Sequence, residues 1–303
     1  FLLPGFYHVV VTDANGCSTL DSAEVLAGEN PVFVPNIENI SCFGEIDGVI
    51  TPDAIGGAVP YQFSIDGGNN YISSGNSFSN LAEGFEIITV TDSLGCQDTA
   101  IIFIEEPALL EVTINIDNHV SCNGFNDGQL TAVASGGRAS YTYLWDDASN
   151  QTNDSATALF AGYYSVTVTD SSGCTASANA LVIEPDILEI TSISSDSALC
   201  FGESNGNVSL TVAGGTPTYD FNWSFGGNTA NSNAPAGLHS VLVTDSNGCT
   251  DSSVISVYQP NQIINSFSKD SVSCLGLSDG WASVSTVGGT GVFLYLWSNG
   301  IIS

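Results

Sequence analysis

The chain repeats one sequence pattern four times, and this repetition limits it to an array of small, similar domains. One phrase, Thr-Asp-x-x-Gly-Cys, follows an alternating apolar segment, and we call it the TD turn. A second phrase, Ser-Cys-x-Gly-x-x-Asp-Gly with small variations, begins the pattern, and we call it the SC loop. The TD turns end at Cys17, Cys96, Cys174 and Cys249, and the SC loops contain Cys42, Cys122, Cys200 and Cys274. Such arrays usually provide reach rather than a single catalytic centre.

Prolines mark the boundaries between repeats, at Glu106-Pro107, Glu184-Pro185 and Gln259-Pro260. They predict complete repeats at residues 32–107, 108–185 and 186–260. Residues 1–31 match the C-terminal part of a repeat and residues 261–303 the N-terminal part, so the two part-repeats are complementary. We expect the chain to be either one period of a longer covalent array or a subunit that assembles head to tail.

The pattern inside each repeat predicts short β-strands and no helices. Residues 188–193 alternate between apolar and polar side chains, which is the period of a half-buried strand. A glycine pair then interrupts the second strand and predicts a turn or bulge with positive φ. The pairs are Gly56-Gly57, Gly136-Gly137, Gly214-Gly215 and Gly288-Gly289.

The next strand carries aromatic residues on one face, and we expect that face to be core rather than a sugar-stacking platform. Its tryptophans, Trp145, Trp223 and Trp297, should therefore be buried. A corner such as residues 159–164 resembles the tyrosine corner of immunoglobulin-like domains. Roughly seven strands per repeat, with frequent turns, predict an all-β tandem array of immunoglobulin-like, Greek-key β-sandwiches.

The charge of the chain excludes several functions. Thirty-two acidic residues face only two basic ones, Arg138 and Lys269, and give a formal net charge of −30. Binding to nucleic acids or to anionic membranes needs clusters of lysine and arginine, so neither is expected. No apolar run is long enough for direct membrane insertion.

No arrangement of residues predicts an enzyme. The sequence lacks a Gly-x-Ser-x-Gly elbow, and none of the histidines recurs in every repeat. Glu105 and Glu106 are adjacent and would point to opposite faces of a strand, which does not suit acid–base catalysis. We therefore predict no catalytic residue and no cofactor-binding residue.

The eight cysteines indicate an oxidising compartment and are too widely spaced for a zinc site. Two regular disulfide patterns compete. The favoured one lies within each repeat and pairs Cys42 with Cys96, Cys122 with Cys174 and Cys200 with Cys249. The other crosses the repeat boundaries and pairs Cys17 with Cys42, Cys96 with Cys122, Cys174 with Cys200 and Cys249 with Cys274. We expect no free thiols in the mature protein.

An acidic residue recurs in each TD turn, at Asp13, Asp92, Asp170 and Asp245. Carboxylate oxygens on loops can bind calcium, so these residues are weak calcium candidates. An aspartate in such a turn also accepts backbone N–H bonds, and turn formation is the favoured interpretation because one carboxylate per turn is too few for a dedicated site. We therefore expect no cofactor other than a possible calcium ion.

Together, the SC loop, the Gly-Gly-x-x-x-Tyr phrase, the Trp-x-x-Gly phrase and the Leu-x-x-Gly-x-Tyr-x-Val-x-Val-Thr-Asp-x-x-Gly-Cys phrase resemble the SprB-type repeat of Bacteroidetes gliding-motility adhesins. The resemblance covers essentially the whole chain. It implies export by the type IX system, an extracellular location at the cell surface, and a role in adhesion or fibres.

A further motif, Asp followed by Ser or Thr and then an apolar residue, resembles the O-glycosylation acceptor of secreted Bacteroidetes proteins. The candidate acceptors are Ser22, Ser93, Thr99, Ser155, Ser197 and Ser271.

These observations predict a non-catalytic extracellular fibre or adhesin stalk. A lectin-like polysaccharide-binding array and a calcium-rigidified surface-layer protein are the alternatives. The expected partners are glycans and copies of the chain itself, joined head to tail or within one longer chain. In such an array Cys274 would pair with Cys17 of the next copy.

Overall fold

The computed structural model describes residues 1–302, and its regular structure in that range consists of 23 β-strands with no helix. Among these residues there is thus no helix with the length and apolar character that a membrane span requires. The all-β class predicted from the alternating segments is confirmed.

The three complete repeats share six strands in the same order, and the first repeat has one additional two-residue strand, Ile72–Ser73. Residues 32–107 contain β3 (Val32–Glu38), β4 (Gly48–Ile55), β5 (Gln62–Ser64), β6 (Ile72–Ser73), β7 (Phe78–Leu81), β8 (Gly84–Thr91) and β9 (Gln97–Ile104). Residues 108–185 contain β10 (Glu111–Asn118), β11 (Gly128–Ser135), β12 (Thr142–Trp145), β13 (Ser155–Leu159), β14 (Gly162–Thr169) and β15 (Thr175–Val182). Residues 186–260 contain β16 (Glu189–Asp196), β17 (Gly206–Ala213), β18 (Tyr219–Trp223), β19 (Asn231–Ala234), β20 (Gly237–Asp245) and β21 (Thr250–Val257).

The two part-repeats contribute one antiparallel hairpin each. Residues 1–31 form β1 (Gly5–Thr12) and β2 (Ser18–Val25), and residues 261–302 form β22 (Ile264–Asp270) and β23 (Trp281–Val287).

Each complete repeat has two antiparallel sheets. In residues 32–107 one sheet has the order β3-β4-β7 and the other β6-β5-β8-β9. The next two repeats follow the same plan, with the orders β10-β11-β13 and β12-β14-β15, then β16-β17-β19 and β18-β20-β21. The chain thus leaves the first sheet after two strands, starts the second, returns for one strand and finishes in the second. This crossing pattern is that of the predicted immunoglobulin-like sandwiches.

The chain folds into two compact units. The first contains residues 1–114, 132–154 and 165–179. Its core lies in the first complete repeat, where alternate residues of both sheets face inward, among them Ile50, Phe63, Val90 and Ile104. All four are fully buried, because the period of two places every second side chain on the inner face.

The second compact unit contains residues 115–131, 155–164 and 180–303. Its core lies in the third complete repeat and includes Val208 and Leu210 from one sheet and Trp223, Val241 and Val243 from the other. The Trp223 indole donates a hydrogen bond to the Thr229 carbonyl at 3.0 Å, so this buried ring leaves no unpaired N–H.

The glycine pairs hold the first strand of a repeat against the second. Gly214 and Gly215 both have positive φ, at 69° and 60°, as the sequence predicts. The Gly215 N–H donates to the Asp186 carbonyl at 2.8 Å. A Cβ on Gly214 would lie 1.9 Å from the Ile187 carbonyl oxygen, so a side chain at this position cannot be accommodated without moving the backbone.

A tyrosine fastens each glycine pair in the complete repeats. The hydroxyl groups of Tyr61, Tyr141 and Tyr219 donate to the carbonyl oxygens of Gly56, Gly136 and Gly214 at 2.5, 2.6 and 2.7 Å. The predicted tyrosine corner is present too, since the Tyr164 hydroxyl donates to the Phe160 carbonyl at 3.1 Å.

Candidate functional site

The structure places two disulfides at the joints between successive repeats. Cys42, in the SC loop of residues 32–107, is bonded to Cys174, in the TD turn of the following repeat. Cys122, in the SC loop of residues 108–185, is bonded in the same way to Cys249 of the repeat after it. Both pairs have a Cα–Cα distance of 5.7 Å. We call these the first joint and the second joint.

The predicted pairing within each repeat is wrong. Cys42–Cys96, Cys122–Cys174 and Cys200–Cys249 do not form, because the SC loop and the TD turn lie at opposite ends of a repeat. Cys96 directly precedes β9, while the residues after β9 hold the SC loop: the Glu105 carbonyl accepts the Ile40 N–H at 3.1 Å. Eight strand residues span roughly 27 Å, whereas the Cα atoms of a disulfide lie within about 7 Å.

The pairing across adjacent boundaries is not formed either, since the bonded cysteines skip the nearest ones in the sequence. Four cysteines carry free thiols, which contradicts the expectation that all are oxidised: Cys17, Cys96, Cys200 and Cys274. Cys274 accordingly has no partner in this chain.

The aspartate of each TD turn organises the loop that carries the cysteine. The Asp170 carboxylate accepts the N–H groups of Ser172 and Cys174 on one oxygen, at 2.9 and 3.0 Å, and the Arg138 N–H on the other, at 2.8 Å. Burial raises the pKa of Asp170, but these N–H donors outweigh it and the net pKa lies below the usual value. Asp245 makes the same contacts with Asn247, Cys249 and Thr216.

Asp13 and Asp92 complete the set of four calcium candidates, and both accept the N–H of their own turn cysteine. Turn formation, the favoured interpretation, therefore accounts for all four aspartates. No group of three or more His, Cys, Asp or Glu residues that could hold a metal occurs within residues 1–302. Calcium binding remains a prediction.

The SC loop is held by its own aspartate. In the second complete repeat the Asp127 carboxylate accepts the Ser121 N–H at 2.9 Å. The Ser121 hydroxyl and this N–H lower the pKa of Asp127, and Ser41 does the same for Asp47. Asn205 takes the equivalent place in the third repeat and accepts the Leu199 N–H at 2.9 Å.

The residue before each boundary proline closes the other side of the SC loop. Glu106 accepts the Gly44 N–H, and Glu184 accepts the Gly124 N–H, both at 2.6 Å. Gln259 accepts the Gly202 N–H at 2.8 Å. These hydrogen bonds connect the SC loop to the end of the last strand of its own repeat and fix the position of the loop cysteine.

Polar contacts accompany each disulfide and differ between the joints. In the first, the Arg138 guanidinium donates to the Ile40 carbonyl at 2.9 Å. In the second, the Asn247 side chain donates to the Ser121 carbonyl at 2.9 Å. The sequence pattern does not identify these two residues, because neither recurs at its position in all the repeats.

Two of the three tryptophans of the aromatic strand are buried, as predicted. Trp145 is 0% exposed and Trp223 is 1% exposed. Their rings therefore cannot stack on a sugar in this conformation. Trp297, in the part-repeat 261–302, is only half-buried.

Five of the six O-glycosylation candidates are exposed: Ser22, Ser93, Thr99, Ser197 and Ser271. Ser155 is half-buried in β13, and its hydroxyl lies 3.1 Å from that of Thr131. Glycosylation itself remains a prediction.

The family model of the SprB repeat matches this chain four times, at residues 34–70, 114–150, 192–228 and 266–300. The chain is a SprB-type repeat protein. Each match runs from the first strand of a repeat through the SC loop and the glycine pair into the aromatic strand. No curated protein matches the chain significantly.

Two solved structures with detectable similarity to this chain are described as tandem domains or repeats. One is the N-terminal eight Ig domains of Down Syndrome Cell Adhesion Molecule, with 11% identity and a TM-score of 0.33 over 84% of this chain and 40% of that one. Another is a tetra-tandem repeat in the extending region of a large adhesion protein, with 15% identity and a TM-score of 0.26 over 84% of this chain and 82% of that one. The chain therefore spans well under two thirds of the first of these.

SprB repeats belong to surface-exposed proteins, and the two disulfides fit an extracellular location. The family is one of structural and adhesive repeats. The joints, rather than a cleft, are therefore the candidate functional site of this SprB protein.

Proposed function

We propose that this SprB protein is the braced stalk of an extracellular adhesin, and that its role is mechanical rather than catalytic. The observation that carries the proposal is the disulfide at both joints, each linking the far end of one repeat to the near end of the next. A string of domains linked only by its backbone can pivot at each linker. A second covalent connection at the joint removes much of that freedom.

The two disulfides also change the route by which tension travels through the chain. A pull applied to the ends passes from Cys42 directly to Cys174, back along the backbone to Cys122, and then directly to Cys249. Residues 43–121 and 175–248 form two longer paths between the same two bonds, so the shorter segment 122–174 becomes taut first when the chain is fully extended. An adhesin stalk benefits from this arrangement, because it limits extension under the drag that acts on a cell at a surface.

The acidic surface suits an isolated stalk in the extracellular medium. A net charge of −30 repels neighbouring copies side by side and keeps the chain soluble. One of the two cations, Arg138, is used inside the first joint.

Single-molecule force spectroscopy tests the proposal. The chain is pulled from its ends in a background with Cys17, Cys96, Cys200 and Cys274 replaced by serine, so that only the joint disulfides remain. We expect the fully unfolded oxidised chain to be shorter than the C42S/C122S variant by about 50 nm, since a fully extended residue spans up to ~3.6 Å.

The control is the same oxidised chain pulled in a reducing agent, which should match the C42S/C122S variant. Equal lengths for the oxidised chain and the variant would show that the joints bear no load and would refute the braced stalk.

Type IX export, a role in gliding motility and O-glycosylation are the finer parts of this proposal, and they derive from the resemblance of the motifs. The lectin-like and calcium-rigidified alternatives gain no specific support: Trp145 and Trp223 are buried, and the TD-turn aspartates are occupied by N–H donors.

A further inference from the structure

The two joints differ in the residue that precedes the glycine of the TD turn. Asn247 holds this position in the second joint and Ser172 in the first, and in both the glycine is followed by the disulfide cysteine. An asparagine before a glycine is chemically labile, because glycine has no side chain to hinder attack by its backbone nitrogen. Ser172 has no amide group and cannot react in this way.

The reaction in question is deamidation. The glycine nitrogen loses its proton and bonds to Cγ of the asparagine, the bond from Cγ to Nδ2 breaks, and ammonia leaves with that proton. Water then opens the cyclic imide to give aspartate or isoaspartate. The net change consumes one water molecule and releases one ammonia, so no further reactant is needed.

The complete repeats contain three Asn-Gly dipeptides, and packing protects the one at Asn205-Gly206. Gly206 is buried at the start of β17, and a Cβ added there would lie 2.5 Å from Cγ1 of Val257. The Asn205 side chain is held as well, since it accepts the Leu199 N–H at 2.9 Å. The strand therefore has no room to bring the Gly206 nitrogen onto the Asn205 side chain.

Charge protects the second dipeptide, Asn123-Gly124. The Gly124 N–H donates to the Glu184 carboxylate at 2.6 Å. Attack requires the Gly124 nitrogen without its proton, and a carboxylate this close disfavours a second negative charge. The Asn123 side chain also donates to the Pro185 carbonyl at 3.1 Å.

Asn247-Gly248 has neither form of protection. Both residues are exposed, and nothing lies within 4 Å of a Cβ added to Gly248. The Gly248 N–H donates only to a neutral backbone carbonyl, that of Asp245, at 3.1 Å. The Asn247 side chain donates to the Ser121 carbonyl at 2.9 Å and to the Thr216 hydroxyl at 3.1 Å, and both contacts are exposed to water.

We propose that Asn247 is a deamidation site of the folded protein and that its conversion weakens the second joint. The carboxylate formed has no N–H to donate to the Ser121 carbonyl, so two hydrogen-bond acceptors face each other across the joint. The first joint has no amide at this position and keeps its Arg138 contact. The two joints therefore diverge in strength as the protein ages. The modification goes beyond the proposed stalk, because it needs only water and no load.

Labelling with heavy-oxygen water tests the site on the full oxidised chain. The folded protein is incubated in this water at mildly alkaline pH, and acid-digested peptides are mapped by mass spectrometry. Opening of the imide leaves a heavy oxygen on the modified residue. We expect labelling at Asn247 to be several-fold faster than at Asn123 or Asn205. In denatured protein the three sites should react at similar rates.

Two variants separate the chemistry of the turn from general exposure. G248A places a methyl group beside the attacking nitrogen and should suppress labelling at Asn247. S172N creates the same dipeptide in the first joint, where Gly173 also has nothing within 4 Å of an added Cβ and donates to a backbone carbonyl at 3.1 Å. Position 172 should then become labelled at a rate similar to that of Asn247.

Reduction by a small thiol tests the effect on the joint, since attack on a disulfide depends on access to its sulfur atoms. N247D and N247S are compared in the background without the four free cysteines. We expect N247D to speed reduction of Cys122–Cys249 several-fold relative to N247S. Cys42–Cys174 in the same molecules is the internal reference and should be reduced at an unchanged rate.

Labelling of Asn205 as fast as Asn247 in the folded protein, or none at Asn247, would overturn the site. Equal reduction rates of Cys122–Cys249 in N247D and N247S would overturn its effect on the joint. The force measurement above does not depend on the chemistry of residue 247, so either proposal can fail without the other.

Discussion

Each of the two joints contains one disulfide, but the polar side-chain contacts around the disulfide differ between them. The first joint uses Arg138, from the loop after a glycine pair, whereas the second uses Asn247, from the TD turn itself. In both, the sulfur of the TD-turn cysteine lies close to a serine carbonyl, at 3.3 Å from Ser41 and 3.4 Å from Ser121. The constant part of a joint is thus the covalent bond and the two loops that present it.

This difference indicates how a repeat array can vary in sequence and keep its joints. The SC loop and the TD turn are each ordered by an Asp or Asn side chain of their own repeat, so the two cysteines are positioned before they meet. The polar contacts across the joint can then differ with little loss of stability, because the two loops already hold the cysteines in position.

Removing one disulfide should have the largest effect and should cost nearly the same at either joint. The closed segments span 132 and 127 residues, and the chain-entropy model gives roughly 5 kcal/mol for each. We expect C42S/C174S and C122S/C249S to lower the free energy of unfolding equally in urea denaturation. The measurement uses the background without the four free cysteines.

A difference of more than about 1 kcal/mol between these variants would contradict the equivalence of the joints. It would show that Arg138 or Asn247 contributes more than the shared disulfide geometry allows.

Replacing the first glycine of a pair should have the next largest effect. In G214A the new Cβ would lie 1.9 Å from the Ile187 carbonyl oxygen, and φ is already 69°. We expect a loss of about 3 kcal/mol, from strain plus a backbone shift at the start of the repeat. G136A should lose as much, because its Cβ meets the Leu109 carbonyl oxygen at the same distance.

The matched control is G248A, where φ is 88° but nothing lies within 4 Å of the new Cβ. It should lose only about 1 kcal/mol, from the left-handed backbone alone. Equal losses in G248A and G214A would mean that the close approach to Ile187 is not important.

Removing the polar contact should separate the two joints by a smaller amount. R138M keeps most of the length of the side chain but loses the charged donor to the Ile40 carbonyl, and we expect it to cost about 1 kcal/mol. N247A removes a neutral, exposed donor and should cost a few tenths of a kcal/mol. Thermal unfolding at matched ionic strength measures both, and a larger loss in N247A would reverse this ranking.

The sandwich could be predicted from the sequence because its determinants are local. Alternation along the strands, positive φ at the glycine pairs and the burial of Trp145 and Trp223 all follow from the side chains of a few neighbouring residues. The hydrogen bond from a tyrosine to each glycine pair could also have been predicted, since the Gly-Gly-x-x-x-Tyr spacing places the hydroxyl near the turn.

The disulfides could not be assigned in this way, because spacing along the chain does not tell which end of a domain a loop occupies. Cys42 lies closer in sequence to Cys96 and Cys122 than to its partner Cys174. The length of β9 carried the signal: an eight-residue strand separates Cys96 from the SC loop of its own repeat. Arg138 and Asn247 gave no signal, since each acts in one joint only.

The smallest expected effect is a difference in acid sensitivity between the SC loop of Cys122 and the SC loop of Cys200. The Ser121 hydroxyl and N–H hold the pKa of Asp127 below its usual value of 3.8 in the folded protein. A carboxyl group with a lowered folded-state pKa stabilises the fold fully above its usual pKa, and the stabilisation is lost as the pH falls through the lower value. The loop of Cys122 should therefore loosen below about pH 4, whereas the loop of Cys200, held by the amide Asn205, should not.

Backbone amide shifts in NMR measure this directly: the Ser121 signal should titrate with a midpoint below 3.8, and the Leu199 signal should stay constant. The D127N variant is the matched control and should make the Ser121 signal as insensitive to pH as that of Leu199. A Ser121 signal that still titrates in D127N would assign the acid sensitivity to another carboxylate.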